Sequence, residues 1–413
     1  MSGWSRRIRL AAVAGVVVAL AACGTAGAAP LVYRGDVVAV QAGALTARDV
    51  AEAQTAFGVD LLHAVCRQAG TGNVLLSPTS AAEALGLLYP AAGGPTAQAF
   101  RNVLHLPAWS PDLVAAMQEH TRSLDRLRYA GDPRQGKAPD SLQMSNHLWT
   151  ARGLQPDQRY LDDLATAFGA DLRALDFAGD PGGATDRINA TVRDDTHGII
   201  EKLFDRPLDR ATTSVLTDAL YLKARWARPF SSTAPAAFAA PSGPITVHMM
   251  SGGSGAGRAA AGWQSVELPY RDGTLAAVAV LPPQGTDPCA VDAPTLAALD
   301  AAAPGQVDVR LPRMAFRQTN ELLEPLTSLG LPRVGDYPAL GGNGQHISQV
   351  VQKTYLRVDQ QGTEAAAATG VAVAASGRVA QRVVSFDRPF LFLLTDTSTR
   401  SPLFAAVVHD PSA

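Results

Sequence analysis

Side chains that could perform enzymatic chemistry occur in this 413-residue chain, but none stands in a spacing that catalysis requires. The eight histidines are scattered, and no pair has the helical spacing of metal ligands. No H-E-x-x-H motif, P-loop, dinucleotide-binding G-x-G-x-x-G or S-x-x-K motif is present. The run Gly252-Gly253-Ser254-Gly255-Ala256 fails the G-x-S-x-G nucleophile elbow at its last position. We therefore predict neither an enzyme nor a bound metal or other cofactor.

The cysteines are too few for a disulfide framework and lack the spacing of a zinc site. Only Cys23, Cys66 and Cys289 occur. Cys66 and Cys289 could pair in an oxidising compartment, but the sequence does not decide whether they meet in the fold. The bridge therefore stays an open alternative.

Residues 359–378 have a composition that is rare in an exposed connection. They read DQQGTEAAAATGVAVAASGR, and residues 365–377 carry no charged side chain. Loops usually carry charged and turn-forming residues. A helix is one interpretation, because Ala is the best helix former, although Gly370, Val371 and Val373 disfavour it. A disordered linker is another.

A third interpretation fits this stretch better, namely an exposed segment that can become a buried strand. Every second residue is small or β-branched and uncharged, and in a strand these residues share one face: Thr363, Ala365, Ala367, Thr369, Val371 and Val373. The other face carries Glu364, so the only charge falls on the side that can meet water.

Apolar periodicity predicts an α+β body around this stretch. Helices are predicted over residues 46–68, from Ser77-Pro78 to 89, 154–168 and 184–196. Strands are predicted over residues 142–149, 213–226, 266–270, 275–281, 307–316, 347–358, 389–394 and 401–408. Residues 213–226 are mostly apolar, which indicates a central strand covered on both faces. The Gly/Ala/Ser-rich residues 251–262 are interpreted as a surface loop.

The order Gly362-Thr363-Glu364-Ala365-Ala366-Ala367-Ala368-Thr369 resembles the hinge of the serpins, the serine protease inhibitor superfamily. The resemblance continues in Ser77-Pro78-Thr79-Ser80 and in the strand and hairpin segments above, and it covers roughly residues 46–411. It implies a single domain over 46–413 with the serpin fold. That fold has a large mixed sheet, two smaller sheets, eight or nine helices and an exposed reactive-centre loop at about 360–384.

The resemblance also implies a function, suicide-substrate inhibition of serine endopeptidases by insertion of the cleaved loop into the large sheet. The family's usual loop length, counted from Gly362, places the scissile bond at Ser376-Gly377, with Arg378-Val379 as the second candidate. Ser376 would suit elastase- or subtilisin-like proteases and Arg378 a trypsin-like one. A non-inhibitory serpin acting as a binding or chaperone-like module, and more distantly an exported lipoprotein enzyme, are the alternatives.

The shutter and breach of the serpin sheet map onto five residues by resemblance. Ser77 and Ser80 match the shutter serines, and Trp226 matches the tryptophan at the top of the sheet. Where the family usually has an Asn and a His that bridge the sheet, this chain has Asp218 and Gln352. We predict that an Asp218–Gln352 hydrogen bond replaces that pair.

The first residues indicate export. Residues 1–22 combine three early arginines with the apolar residues 10–20, a run of signal-peptide length that is too short to span a bilayer. Leu20-Ala21-Ala22-Cys23 resembles a bacterial lipobox, which implies a lipid anchor on Cys23, with residues 23–45 as a tether. The alternative is an ordinary signal peptide and a secreted protein.

Composition limits the remaining partners. A net charge of −2 with 17% charged residues argues against a nucleic-acid-binding protein, which would show a basic patch. The serpin resemblance implies a serine protease as partner and the lipobox a membrane through Cys23, and we expect a monomer.

Overall fold

The computed structural model describes residues 29–128, 141–341, 345–363 and 382–412. Within these ranges the chain forms eight α-helices, namely α1 (Ala47–Ala69), α2 (Pro78–Leu88), α3 (Gly94–Leu104), α4 (Pro111–Asp125), α5 (Gln158–Phe168), α6 (Pro181–Asp195), α7 (Ala293–Ala301) and α8 (Leu323–Ser328). Short 3-10 helices span Tyr89–Ala91, Pro288–Ala290 and Pro338–Leu340. None of the described helices is long and apolar enough to cross a membrane.

The strands are β1 (Leu31–Tyr33), β2 (Val74–Leu76), β3 (Ser141–Ala151), β4 (Leu172–Leu175), β5 (Ser214–Arg225), β6 (Ser232–Ala240), β7 (Gly243–Ala260), β8 (Trp263–Pro269), β9 (Leu275–Leu281), β10 (Gly305–Pro312), β11 (Met314–Glu321), β12 (Ile347–Val358), β13 (Gly362–Thr363), β14 (Val383–Ser385), β15 (Phe390–Asp396) and β16 (Pro402–Val408). Sheet A has seven of these strands, in the order β1-β4-β3-β5-β13-β12-β11. The other nine strands form sheet B, in the order β14-β10-β7-β8-β9-β15-β16-β2 with β6 beside β7.

The two smaller sheets expected from the sequence are joined in the nine-stranded sheet B. The 18-residue strand β7 makes this connection, because its first part pairs with β6 while later parts pair with β10 and β8. The large mixed sheet and the surrounding helices agree with the predicted serpin fold.

Strand β5 is the centre of sheet A, as the apolar run of residues 213–226 predicts. Every residue from Ser214 to Ala224 is buried, and β5 pairs antiparallel with β3 and parallel with β12. Helix α2 packs between β5 and the β16 strand of sheet B. It begins where the sequence predicts, with the Ser77 side chain accepting a hydrogen bond from the Ser80 backbone N–H and Pro78 in the first turn.

The interpretation of residues 251–262 as a surface loop is wrong. Residues up to Ala260 continue β7, and only a tight turn separates them from β8. The small residues serve close packing, because a Cβ atom on Gly257 would lie 2.7 Å from a methyl group of Val307 on the neighbouring strand. Glycine composition alone cannot distinguish this close approach from a flexible loop.

The predicted strand 307–316 is two strands. Strand β10 ends at Pro312 and belongs to sheet B, whereas β11 starts at Met314 and pairs with β12 in sheet A. Pro312 lacks the N–H group that an uninterrupted ladder needs, which favours the change of sheet at this point.

Part of the predicted tether 23–45 belongs to the folded domain. Residues Leu31–Tyr33 form β1, which pairs with β4 at the edge of sheet A, and the Tyr33 hydroxyl donates a hydrogen bond to the Leu154 carbonyl. The domain therefore begins before residue 46. Its boundary escaped prediction because a three-residue edge strand has no periodicity to detect.

Cys66 and Cys289 are joined by a disulfide bond across 223 residues of sequence. The bond connects the last turn of α1 to the 3-10 helix Pro288–Ala290. The sequence alone leaves open whether these two cysteines pair, and the structure shows that they do.

Candidate functional site

The first two residues of the predicted hinge form a strand that lies between β5 and β12. Gly362 pairs with Arg225, and Thr363 pairs with Ala224 on one side and Val358 on the other, antiparallel in both cases. Beyond this point β5 and β12 pair directly with each other in parallel, from Tyr221↔Tyr355 to Ser214↔Ile347. At one end of sheet A, β13 therefore separates β5 from β12. Along the rest of their length, β5 and β12 are hydrogen-bonded to each other.

Gly362 is required at the turn that starts β13. The Asp359 backbone N–H donates to the Gly362 carbonyl at 2.9 Å, which brings the chain back from β12 toward β5. A Cβ atom at position 362 would lie 2.1 Å from the carbonyl oxygen of Ala224 and 2.7 Å from Cα of Arg225. Both neighbours are backbone atoms, so no side-chain rotation relieves the clash.

Trp226 holds this turn from the end of β5. Its indole Nε1–H donates to the Asp359 carbonyl at 2.9 Å, and its backbone N–H donates to the Gln361 carbonyl at 2.9 Å. The Trp226 ring stacks on Tyr270 with centroids 4.5 Å apart, and the Tyr270 hydroxyl lies 2.5 Å from Thr363 Oγ1. The two aromatic rings thereby connect the hinge to the end of β8.

Asp218 and Gln352 face each other across the closed part of the β5–β12 pair. The Gln352 side-chain N–H donates to Asp218 Oδ2, and the same side chain forms two 2.9 Å hydrogen bonds with the Ser77 backbone. Ser80 Oγ contacts Asp218 Oδ1 from the start of α2. The structure therefore brings Ser77, Ser80, Asp218 and Gln352 together under sheet A.

The Asp218 carboxyl group is fully buried, and the removal of its charge from water raises its pKa to about 7 despite hydrogen bonds from Ser80 and Gln352. A neutral Asp218 also satisfies the local geometry. Ser80 Oγ has one proton but lies within reach of two acceptors, Asp218 Oδ1 and, at 2.6 Å, Asn146 Oδ1. A proton on Asp218 lets the carboxyl donate to Ser80, which then donates to Asn146.

Sequence reasoning missed the residues that extend this cluster. Asn146 pairs with Asp218 in the β3–β5 register and contacts Glu83 Oε2 at 3.3 Å through its side-chain N–H. Glu83 in turn lies 3.5 Å from His120, whose Nε2 is 2.8 Å from Ser401 Oγ. These residues come from α2, α4, β3 and the approach to β16, and no local pattern links them. Tyr270 was missed for the same reason.

Several predicted site residues lie outside the described residues. They are Cys23, the hinge residues Glu364, Ala365, Ala366, Ala367, Ala368 and Thr369, and both candidate reactive bonds, Ser376-Gly377 and Arg378-Val379. The described chain resumes at Arg382 and enters β14 at the edge of sheet B.

A two-residue strand wedged into the centre of a seven-stranded mixed sheet, with a second large sheet behind it, defines the class as the serpin fold. The chain belongs to the serpin family, since a family profile described as Serpin (serine protease inhibitor) matches residues 52–411. Iripin-3 from Ixodes ricinus is 31% identical over 82% of this chain and 88% of its own length.

Two solved structures show the same fold. The thermophilic serpin tengpin in its native state covers 93% of this chain with a TM-score of 0.79 at 22% identity, and all of that chain is matched. Human thyroxine-binding globulin complexed with thyroxine covers 88% with a TM-score of 0.74 at 24% identity, and 99% of that chain is matched.

Replacement of Gly362 by Ala should expel β13 from sheet A. The added methyl group meets the Ala224 carbonyl, and overpacking of this kind costs about 1–3 kcal/mol. We expect a lower melting temperature and faster proteolysis near residue 360. Gly305→Ala is the matched control, because its Cβ would meet no atom within 4 Å. Equal melting temperatures for the two variants would contradict this role for Gly362.

Asp218 should give the protein a stability that falls as pH rises from about 4 to about 7. In that range the folded state keeps the Asp218 proton, because its pKa is raised to about 7, while the unfolded state, with the ordinary value of 3.8, has lost it. The slope is at most about 1.4 kcal/mol per pH unit. Asp218→Asn lacks this contribution, so melting curves of the two proteins should diverge across this range. Parallel curves would show that Asp218 does not titrate there.

Proposed function

We propose that this serpin is a suicide-substrate inhibitor of serine endopeptidases, with residues of about 360–384 as the loop offered to the protease. One observation carries the proposal, the wedge of β13 between β5 and β12. This strand lies antiparallel between two mutually parallel neighbours, at the place where an inserting loop would extend it. Cleavage of the loop would free the remaining hinge to continue in the same register.

The register predicts where the first charged residue would go. One step beyond Thr363, Glu364 would lie opposite Lys223 on β5 and Arg357 on β12. An acidic residue between two basic neighbours is favourable there. The negative charge of Glu364 would thus lie between the positive charges of Lys223 and Arg357.

The same register predicts that Thr369 would lie opposite both Asp218 and Gln352. Full insertion would therefore break the side-chain hydrogen bond that joins these two residues. A small hydroxyl side chain at this position can offer replacement hydrogen bonds to a neutral carboxyl and an amide. The buried pair would keep the sheet closed before cleavage, and Thr369 would satisfy it afterwards.

Insertion of the loop would replace one hydrogen-bonded strand pairing by two. The direct β5–β12 pairing, Ser214↔Ile347 to Tyr221↔Tyr355, would be replaced by hydrogen bonds from the new strand to both neighbours. About ten additional ladder bonds at roughly 1 kcal/mol each would make the step favourable. Residues 363–369 contain no Pro, which would delete a ladder bond, and no charge on the face that Thr363 shares.

The protease would be trapped as its acyl-enzyme. Its serine attacks the scissile carbonyl, the peptide bond breaks and the amine of the following residue leaves, while the acyl group stays on the protease. Movement of the freed loop into sheet A would carry the protease along and distort its active site before water hydrolyses the ester. Ser376-Gly377 is our first choice for this bond and Arg378-Val379 the second.

The site of action belongs to the same proposal. Export through residues 1–22, followed by lipid attachment at Cys23 or by secretion, would place the loop outside the cytoplasm, where it meets elastase-, subtilisin- or trypsin-like proteases. The disulfide bond between Cys66 and Cys289 supports an oxidising location.

Binding of a small apolar molecule is a second candidate function, within the non-inhibitory alternative. A cavity of about 400 Å³ lies between α1, α7 and sheet B. Its lining is mainly aliphatic, from Leu62, Val278, Val280, Leu391 and Leu393, with Arg48, Arg258 and Arg400 also present. One structural relative is complexed with thyroxine. This function alone would leave the hinge without a role.

Incubation with a panel of serine proteases tests the proposal. We expect a complex with one of them that survives denaturing electrophoresis, and mass mapping of the released C-terminal peptide should place the cut at residue 376 or 378. Thr363→Arg should convert the inhibitor into a substrate that is cut without trapping, since the buried hinge position cannot accept a charge.

Thr363→Ser is the matched control, because it keeps the hydroxyl group that faces Tyr270. It should still form the complex, while circular dichroism confirms that both variants are folded. Loop cleavage at residues 376–379 without any covalent complex in the wild-type protein would refute inhibition and favour the binding function.

A further inference from the structure

A second cluster with chemical potential lies far from the hinge, around the disulfide bond. One carboxylate oxygen of Asp287, Cys289 Sγ and a ring nitrogen of His409 all lie within 4.8 Å of one another. Cys66 Sγ is bonded to Cys289 Sγ and so reaches the same place. Two sulfurs, an imidazole and a carboxylate form a donor set that tetrahedral zinc accepts.

The His409 ring is oriented with one nitrogen toward a backbone carbonyl and the other toward Asp287. Its side chain is buried, and Nδ1 lies 2.9 Å from the Gly72 carbonyl, which can only accept, so Nδ1 carries the hydrogen. Nε2 then faces Asp287 Oδ2 at 3.1 Å. Two donor atoms at this distance can be ligands of the same tetrahedral metal ion.

The neighbouring donors are also held in position by the backbone. Asp287 Oδ1 accepts a hydrogen bond from the Cys289 N–H at 2.7 Å, which directs the other carboxylate oxygen toward His409. Asn73 accepts the His409 backbone N–H at 2.8 Å and fixes the end of β16. The site thus joins α1, the 3-10 helix Pro288–Ala290 and the end of β16.

We propose that reduction of the Cys66–Cys289 disulfide creates a zinc site with Cys66, Cys289, His409 and Asp287 as ligands. A dithiol reductant would give two electrons and two protons to the disulfide and become a disulfide itself. The two thiols formed then lose their protons as Zn²⁺ binds. In the oxidised protein both sulfurs are bonded to each other and are not thiolate ligands.

The disulfide bond is accessible to a reductant and to a metal ion. A cleft of about 440 Å³ lies beside the bond and is lined by both cysteines, His63, Arg67 and Asp287. The Asp287 side chain is 51% exposed, so a reductant and a metal ion can approach from that side. Disulfide and zinc would then be alternative cross-links for the same junction, independent of the protease-binding loop.

Metal titration of the purified protein tests the proposal. After reduction with a phosphine and its removal without oxygen, we expect one Co²⁺ per chain, with thiolate-to-metal charge-transfer absorption and the visible bands of tetrahedral cobalt. Zn²⁺ should displace it and raise the melting temperature. The oxidised protein should show neither the absorption nor the shift.

Three variants assign the ligands. Cys289→Ser keeps Cys23 and Cys66 and should lose the charge-transfer band of the site. Asp287→Asn keeps the backbone cap and should weaken Zn²⁺ binding at least about tenfold, as should His409→Gln where it folds. His63→Gln is the control, because His63 lines the cleft but its Nε2 lies 2.7 Å from the Val291 carbonyl.

Three results would overturn the zinc site. One is unchanged Zn²⁺ affinity in Asp287→Asn, and another is equal Co²⁺ spectra for the oxidised and reduced proteins. The third is a reduced protein that unfolds and is not refolded by Zn²⁺, since the proposal requires the fold to assemble all four ligands. None of these results bears on protease inhibition.

Discussion

The parallel pairing of β5 with β12 is the interaction on which the rest of this structure depends. It closes the centre of sheet A over eight register pairs, yet at one end the same two strands are separated by Gly362 and Thr363. Parallel ladders are slightly less stable per residue than antiparallel ones, and the proposed insertion would replace this parallel ladder by two antiparallel ones. The aromatic contacts of Trp226 and Tyr270 hold the junction where the two arrangements meet.

Two buried polar side chains lie in the middle of this strand pair, in addition to the hinge residues at its end. Asp218 and Gln352 are buried where apolar residues would pack more simply, and burial costs them their hydration. Hydrogen bonds with the Ser77 backbone and the Ser80 side chain satisfy both groups in the closed sheet. A fully satisfied buried polar network of this kind favours one defined arrangement of the closed sheet.

The features that could be predicted from the sequence are those that depend on a short stretch of the chain. The central strand follows from one apolar run, α2 from the Ser77-Pro78 start, and the fold from the hinge motif at Gly362. Prediction failed where a residue's role depends on a distant neighbour. Gly257 is small because Val307 lies against it, and Asn146 matters because it faces Asp218. The disulfide bond likewise required the tertiary distance between two residues 223 positions apart.

The central claim is that the intact chain is less stable than the same chain with its loop cut and inserted. Calorimetry on intact protein and on protein nicked once within residues 371–379 measures this directly. The account predicts that the nicked protein unfolds at a markedly higher temperature, because a new strand lies between β5 and β12. Nicked protein that melts at or below the temperature of intact protein would contradict it.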